Sequence, residues 1–488
     1  MALLAADAAL MVSSMLLLAW LSYAASRYWL LSVNAALLIS KQLLLAVCYA
    51  AIALIILLLW WRLSMASCSL AYGCCFSAVV AIMALLWLSL SIALKNSLLH
   101  EHVLSASMLL LAAVLLPRTL LLAHAYAVIE LLALSSYVLV CCSRLSEFSV
   151  EAALKYYLLG AASSLLFVAG AVFYMLATGS YAVSHASMLF NAALEMPSLN
   201  IAVAMDAASM AFSLIAAAFC FKLAIVPMHS WLPEVYDGAN AVICMLLISL
   251  PKNAYMAWMS LLLYDAASHA VSSQLLYAAS ISCIAVAATS ASMQLSWKRL
   301  LALSGSVHAG YMLLALHAQD ELMHAAILLY CITYSVLALA MASLFAAASQ
   351  GSFFNAALIS CRAASRYISE LKALAIQQPF YAASIVLLAF NMIGLPPLLG
   401  FHAKLLVLLA YIGAAHIVAA IIAFAAKVCA SLYYMRVLSI VLLPTASKLP
   451  HTMLPSRGVS LYVAAMSLLS MLPYAKSSLL MSSLQVAA

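Results

Sequence analysis

Apolar residues run in long blocks along this chain, and polar residues gather in the breaks between blocks. A helix that crosses a bilayer needs about 20 consecutive apolar residues. Read between their breaks, the blocks predict spans over 8–26, 42–61, 69–94, 103–117, 120–142, 154–177, 203–227, 239–264, 271–293, 300–317, 322–347, 379–411, 414–443 and 458–480. The pattern therefore predicts an all-α, polytopic membrane protein of about fourteen helices. The opening stretch, MALLAADAALMVSSMLLLAW, reads as part of the first span and lacks the Arg-rich character of a transit peptide. Two connections are long, 178–202 and 348–378, and neither is large enough for a separate soluble domain. The chain is expected to form one membrane domain over 1–488.

Composition agrees with a lipid solvent. Of the 488 residues 69% are hydrophobic and only 7% are charged, against about 25% charged in a soluble domain. The net charge of +7 is scattered. No Lys/Arg cluster with interleaved aromatics is present, so nucleic acid is not an expected partner. The twelve cysteines sit inside apolar runs or as adjacent pairs, without CxxC or Cys/His spacing, and read as small buried hydrophobes; no metal site is expected.

The positive-inside rule tests the count of spans. Thirteen of the twenty Lys and Arg fall at the ends of, or in loops after, odd-numbered spans, among them Lys155, Lys298, Arg299 and Arg436. Only Arg62, Arg118 and Lys476 fall on the other face. A miscounted helix would scramble that asymmetry, so fourteen spans with both termini outside is the expected topology.

Four lysines remain, and each lies within a span: Lys222, Lys252, Lys404 and Lys427. Among the acidic residues, Glu130 alone sits well inside one. A charge at the bilayer centre costs at least about 2.5–3.5 kcal/mol, so these side chains need partners, water or a function. Desolvation opposes the charged form of a lysine and a nearby carboxylate favours it. A Lys–Glu pair that opens and closes is therefore a protonation switch; the plainer alternative is a static ion pair that holds helices together.

Prolines surround the lysines. Pro227 follows Lys222 in FKLAIVPMHSWLPEVYDGAN, Pro251 precedes Lys252, and Pro396 and Pro397 precede Lys404 in NMIGLPPLLGFHAKLLVL. Proline inside a helix removes a hydrogen bond, and broken helices beside ionisable groups are how many transporters build midplane ion sites. Helix breaks are thus expected at all four prolines. Spans 7 and 12 each combine a break with a lysine and run in opposite directions, as two inverted five-helix repeats would, over 103–264 and 271–443, with leading helices in 1–100 and a last helix at 458–480. His229, His308 and His402 fall in or beside these spans and are candidate relays, with packing histidines as the alternative. Lys427 has no proline or acidic neighbour in sequence, and no role is assigned to it.

The blocks ELLALSSYVLVCC, EFSVEAALKYYLLGAASSLL, FKLAIVPMHSWLPEVYDGA, WKRLLALSGSVHAGYMLLAL and IGLPPLLGFHAKLLVL together resemble the antiporter-like membrane subunits of respiratory complex I. The EAALKYYLLGA block favours the subunit 2 family, the one nearest the peripheral arm. The likeness covers roughly residues 125–440 and is specific in combination. It implies that Glu130, Lys222, Lys252 and Lys404 match the family's proton-path residues. Glu234 and Asp237 exchange the family's Asp and Glu.

The resemblance also implies a proton-translocating subunit of an NADH–ubiquinone oxidoreductase with no redox site of its own; FMN, iron–sulfur clusters and ubiquinone would reside in other subunits. Expected partners are a neighbouring antiporter-like subunit, the small subunits that lead to the quinone site, and lipids. The expected location is the mitochondrial inner membrane, with the bacterial inner membrane or the thylakoid as alternatives. Competing readings are an Mrp-type cation/proton antiporter subunit, a non-pumping scaffold, and a haem protein using His402 and His416, whose span GLPP would interrupt.

Overall fold

The structure, a computed structural model, describes residues 76–85, 87, 100–142, 146–183, 199–266, 270–318, 323–353, 367–368, 379–396, 398–413 and 417–443. The expected first, second and fourteenth spans, most of both long loops, and Pro397 and His416 lie outside the described residues. A helical stretch at Phe76–Leu85 belongs to the expected third span. It is followed by α1 (His100–Leu115), a 3-10 turn (Leu116–Arg118), α2 (Leu122–Cys141), α3 (Glu147–Thr178) and α4 (Leu199–Lys222). Next come α5 (Trp231–Gly238), α6 (Ala241–Ala266), α7 (Ala270–Ser292), α8 (Trp297–Ala318) and α9 (Met323–Phe353). The last three are α10 (Pro379–Ile393), α11 (Leu399–Gly413) and α12 (Ile417–Leu442).

Among the described residues, eight helices are long and apolar enough to cross a membrane, and the only sheet-like pairing is two isolated bridges. Lipid offers no partner for a backbone N–H or C=O, so each crossing segment satisfies its own polar groups as a helix. In the expected seventh span, 203–227, helix α4 stops at Lys222 and the short α5 follows beyond Pro227; the expected twelfth is α10 followed by α11, so both predicted discontinuities are present. Helix α3 begins at Glu147, about two turns before the apolar block, and these first turns carry exposed Glu147 and Glu151. Helix α9 runs on to Phe353, into the stretch expected to be loop.

Burial sorts the helices into centre and rim. The apolar windows of α6, α8 and α9 are 100%, 94% and 83% buried, whereas that of α3 is 28% buried. Three polar-bearing helices thus form the centre: α6 carries Lys252, α8 carries His308, and α9 carries Tyr330 and Tyr334. Leu154, Leu158, Leu165 and Leu176 of α3 face outward.

The expected break at Pro251 does not occur. Helix α6 is continuous with Pro251 inside it. Proline removes the N–H that would bond the carbonyl four residues back, here Leu247. The Tyr236 hydroxyl of α5 donates to that Leu247 carbonyl at 3.1 Å. A side chain from another helix thus restores the missing bond.

Several of the basic residues that the sequence gathers on one face are tied into the helix ends around them. Lys155 lies 2.8 Å from Glu151 and 2.7 Å from Glu234, and Arg299 lies 2.9 Å from Asp237. Lys298 donates to the Ala239 carbonyl at 2.6 Å, and Arg436 donates to the Ser292 carbonyl at 2.8 Å. The exchanged acids Glu234 and Asp237 thus anchor α5 to α3 and α8. Arg118, at the opposite end of α2, donates to Ser77 Oγ at 2.9 Å.

Candidate functional site

The site is assembled from two helix breaks and the central helices between them. At the first break, α4 ends at Lys222, five residues before Pro227. Leu223 N–H donates to Phe219 O and Ile225 N–H to Cys220 O, both at 2.8 Å, which closes the helix end. Ala224 adopts a left-handed conformation there (φ 56°), one that costs a non-glycine residue about 1–2 kcal/mol. The surrounding structure holds the break against that cost. Pro227 lies within the connecting segment, after a cis peptide from Val226.

Lys222 Nζ lies 3.8 Å from Glu130 Oε1, with side-chain exposures of 6% and 25%. This separation is a charge contact too long for a hydrogen bond. Glu130 Oε1 is buried and makes no hydrogen bond. The pair is therefore held by charge alone, without the directional bonds that would lock it. Aromatic rings pack beside the break: Phe221 stacks on Trp231 at 5.7 Å, and Tyr156 stacks on the same ring at 4.8 Å.

The second break is built by three residues. Gly394, at φ 84°, donates its N–H to Phe390 O at 3.0 Å and ends α10, the left-handed cap that glycine favours. The Asn391 side chain accepts from Gly400 N–H at 2.8 Å, capping the start of α11. A β-carbon at Gly400 would overlap the Asn391 carbonyl. Lys404 then reaches back across the gap. Its Nζ donates to the carbonyls of Met392 at 2.7 Å and Ile393 at 3.2 Å, the orphan acceptors at the end of α10. A cation is favoured at a helix C-terminus. The break and the charge in it are thus one device. Pro396 lies within this gap.

Lys252 stands between the breaks, buried on α6 (4% exposed). Its Nζ makes no hydrogen bond to protein, and neither does the buried hydroxyl of Tyr334. The two groups converge on Gly305 of α8. A β-carbon there would come within 2.5 Å of Lys252 Nζ and 2.6 Å of Tyr334 Oη. Tyr334 also lies against His308, with ring centroids 5.0 Å apart. His308 Nδ1 shares a 2.8 Å hydrogen bond with Tyr330 Oη. His308, Tyr330, Tyr334, Asn391 and Lys404 line one small cavity with about 10 Å³ of space for water centres, room for about one molecule.

The arrangement brings together Glu130 with Lys222, and Lys252 with His308 and Lys404 by way of Tyr334 and the cavity. No side-chain contact among the described residues joins Lys222 to Lys252. Of the other histidines, His402 places Nδ1 3.2 Å from the Leu398 carbonyl of its own helix. It does not line the cavity. The Nδ1 of His229, in the first break, is buried without a hydrogen bond. Sequence reasoning missed Tyr330, Tyr334, Asn391 and Gly305. A weak signal existed for the two tyrosines, which stand four apart in YCITY and so share a helix face. Among the described residues, no group of three His, Cys, Asp or Glu is placed to hold a metal ion.

Comparison with known proteins supplies the family. A family model described as NADH:quinone oxidoreductase/Mrp antiporter, transmembrane, matches residues 119–430. NADH-quinone oxidoreductase subunit N of Acidithiobacillus ferrooxidans is 33% identical over 356 residues, covering 71% of this chain and 70% of that protein. Subunit N of Azoarcus sp. is 32% identical over 330 residues, covering 64% of this chain; the chain spans 62% of that relative's length. Among solved structures, a chain of respiratory complex I from Thermus thermophilus superposes with a TM-score of 0.74 at 23% identity, covering 96% of this chain and 98% of that one. A chain of the Mrp complex from Dietzia sp. gives 0.76 at 16% identity, covering 100% and 97%. At these identities the structural likeness speaks for the fold alone, an antiporter-like membrane fold. With its helical fold and most of its described length matched by the family model, this multi-pass membrane chain belongs to the NADH:quinone oxidoreductase/Mrp antiporter transmembrane family.

Proposed function

We propose that the chain is a proton-translocating subunit in the membrane arm of an NADH–quinone oxidoreductase. The observation that carries this reading is the placement of unpaired polar groups in the most buried helices. Lys252 Nζ and Tyr334 Oη have no protein hydrogen-bond partner and converge on Gly305, and Tyr334 in turn lines a cavity with His308 and Lys404. Buried polar atoms without protein partners are where internal water binds, and lysine, histidine, tyrosine and water together can pass a proton. Glu130 and Lys222 would act as the switch, Lys252 as the central relay, and His308 as the link to Lys404 at the second break. His229 and His402 would stand outside this line.

The chain would bind no redox group itself. FMN, iron–sulfur clusters and quinone would reside in other subunits, and energy would arrive as electrostatic coupling through the membrane arm. The partners would be a neighbouring antiporter-like subunit and the small subunits leading to the quinone site. The relatives named above are bacterial, which supports the bacterial inner membrane in place of the mitochondrial inner membrane expected from sequence. The family description covers Mrp antiporters as well, which favours a second reading, cation/proton antiport, under which transport would be sodium-dependent.

Affinity-tagged chain, purified from its native membrane in mild detergent, is expected to migrate with a complex that stains for NADH–quinone reductase activity. Proton transport by that complex is expected to be independent of sodium. Migration apart from such activity, or strict sodium dependence, would contradict the proposal.

A further inference from the structure

Lys427 is the buried-span lysine that the proton line leaves out. It lies on α12 ten residues from the Ile417 end, or about 15 Å at 1.5 Å per residue. Half of a hydrocarbon core about 30 Å thick is the same distance, so the side chain sits near mid-membrane. Unlike Lys252 and Lys404, which are fully buried, it is only partly buried. Its surroundings on the outer face are apolar: Ile421 is 63% exposed, Phe424 57%, Val428 56% and Leu432 61%.

A cation on an apolar outer face at this depth is costly. The protein offsets part of that cost. Lys427 Nζ lies 5.2 Å from the Phe401 ring centroid and 5.9 Å from that of Phe424, within range for a cation–π attraction. The rings hold the ammonium in place without supplying a negative charge. The ion pairs of the described residues are made by Lys155, Lys222 and Arg299; none of their carboxylates reaches Lys427.

Two sources of anion exist in a membrane. Lipid phosphates lie beyond the hydrocarbon core, about 15 Å from its middle, and a four-carbon stem does not span that distance. A carboxylate on a neighbouring transmembrane helix can lie at the right depth. We propose that Lys427 and its Phe401/Phe424 cradle form the docking point for a transmembrane helix of a different polypeptide that carries an Asp or Glu at mid-membrane. The proposal rests on the reading that the chain works inside a multi-subunit assembly. Phe401 belongs to the first turn of α11, three residues before Lys404. The docked carboxylate would therefore lie beside the second helix break, where a change in its charge would be felt.

The test uses the whole complex with the photo-crosslinking residue benzoylphenylalanine in place of Val428. The expected adduct is to one other membrane polypeptide, on a helix with an Asp or Glu within one turn of the attachment point. Its yield should fall in Lys427→Gln and persist in Lys427→Arg. Adducts to lipid alone, to a second copy of this chain, or to a helix without a carboxylate would overturn the proposal. So would an undiminished yield in Lys427→Gln. Mapping is done with Lys427 present, so it does not depend on assembly of a variant. A lipid-only adduct inside a verified NADH–quinone oxidoreductase overturns this inference alone. Assembly into some other complex overturns the functional reading and leaves the adduct test standing.

Discussion

Lys222→Arg is expected to stop proton transfer through the chain while leaving the subunit assembled. Arginine keeps a positive charge opposite Glu130, but a guanidinium is not deprotonated in proteins. An ion pair that only tied α4 to α2 would tolerate the exchange. A pair that must take up and release a proton would not. The 3.8 Å separation, longer than a hydrogen bond, and the buried unbonded Glu130 Oε1 favour the second case. Lys222→Met and Glu130→Gln should lose transfer as well, by about 10²-fold or more if the pair acts as a positioned acid and base. The measurement is NADH-driven acidification of vesicles, normalised to the amount of assembled complex. Wild-type acidification by the arginine variant would make the pair structural.

Gly305→Ala is expected to cut proton transfer at the centre of the line, although it adds a single methyl group. The added carbon would stand 2.5 Å from Lys252 Nζ and 2.6 Å from Tyr334 Oη, closer than packed atoms tolerate. One or both polar ends must swing away, which separates Lys252 from Tyr334. Tyr334→Phe removes the hydroxyl from the line and should itself cut transfer, and combining it with Gly305→Ala should cost less than the two losses together. Contacting residues are where such non-additivity is expected. Vesicle acidification by the two single variants and the double variant checks this. A Gly305→Ala complex with unimpaired transfer would show that protons do not pass between Lys252 and Tyr334.

Among the described residues the long apolar blocks were enough to place the crossing helices, because lipid forces each crossing segment to satisfy its own backbone. The ionisable residues stood out for the same reason, since each carries a cost that the blocks do not explain. The tyrosines were silent, because a tyrosine inside an apolar run looks like any other large side chain. Only the packing of α9 against α6 and α8 reveals that Tyr330 and Tyr334 line the cavity. Pro251 misled because the proline rule counts hydrogen bonds within one helix, and the bond that rescues Leu247 comes from Tyr236 of α5. His308 and His402 were equal as candidates in sequence. His402 is two residues from Lys404, so the two side chains leave α11 on different faces, and which face meets the cavity is a property of the bundle.

The claim beneath these expectations is that protons cross the membrane through this chain along its buried amines. The number of protons moved per NADH oxidised, compared between wild type and Lys252→Met in sealed proteoliposomes, tests it most directly. Lys252 has no ion pair or hydrogen bond to lose, so its removal should spare the fold and interrupt the line. The account predicts fewer protons per NADH in the variant. An unchanged ratio at unchanged turnover would contradict it.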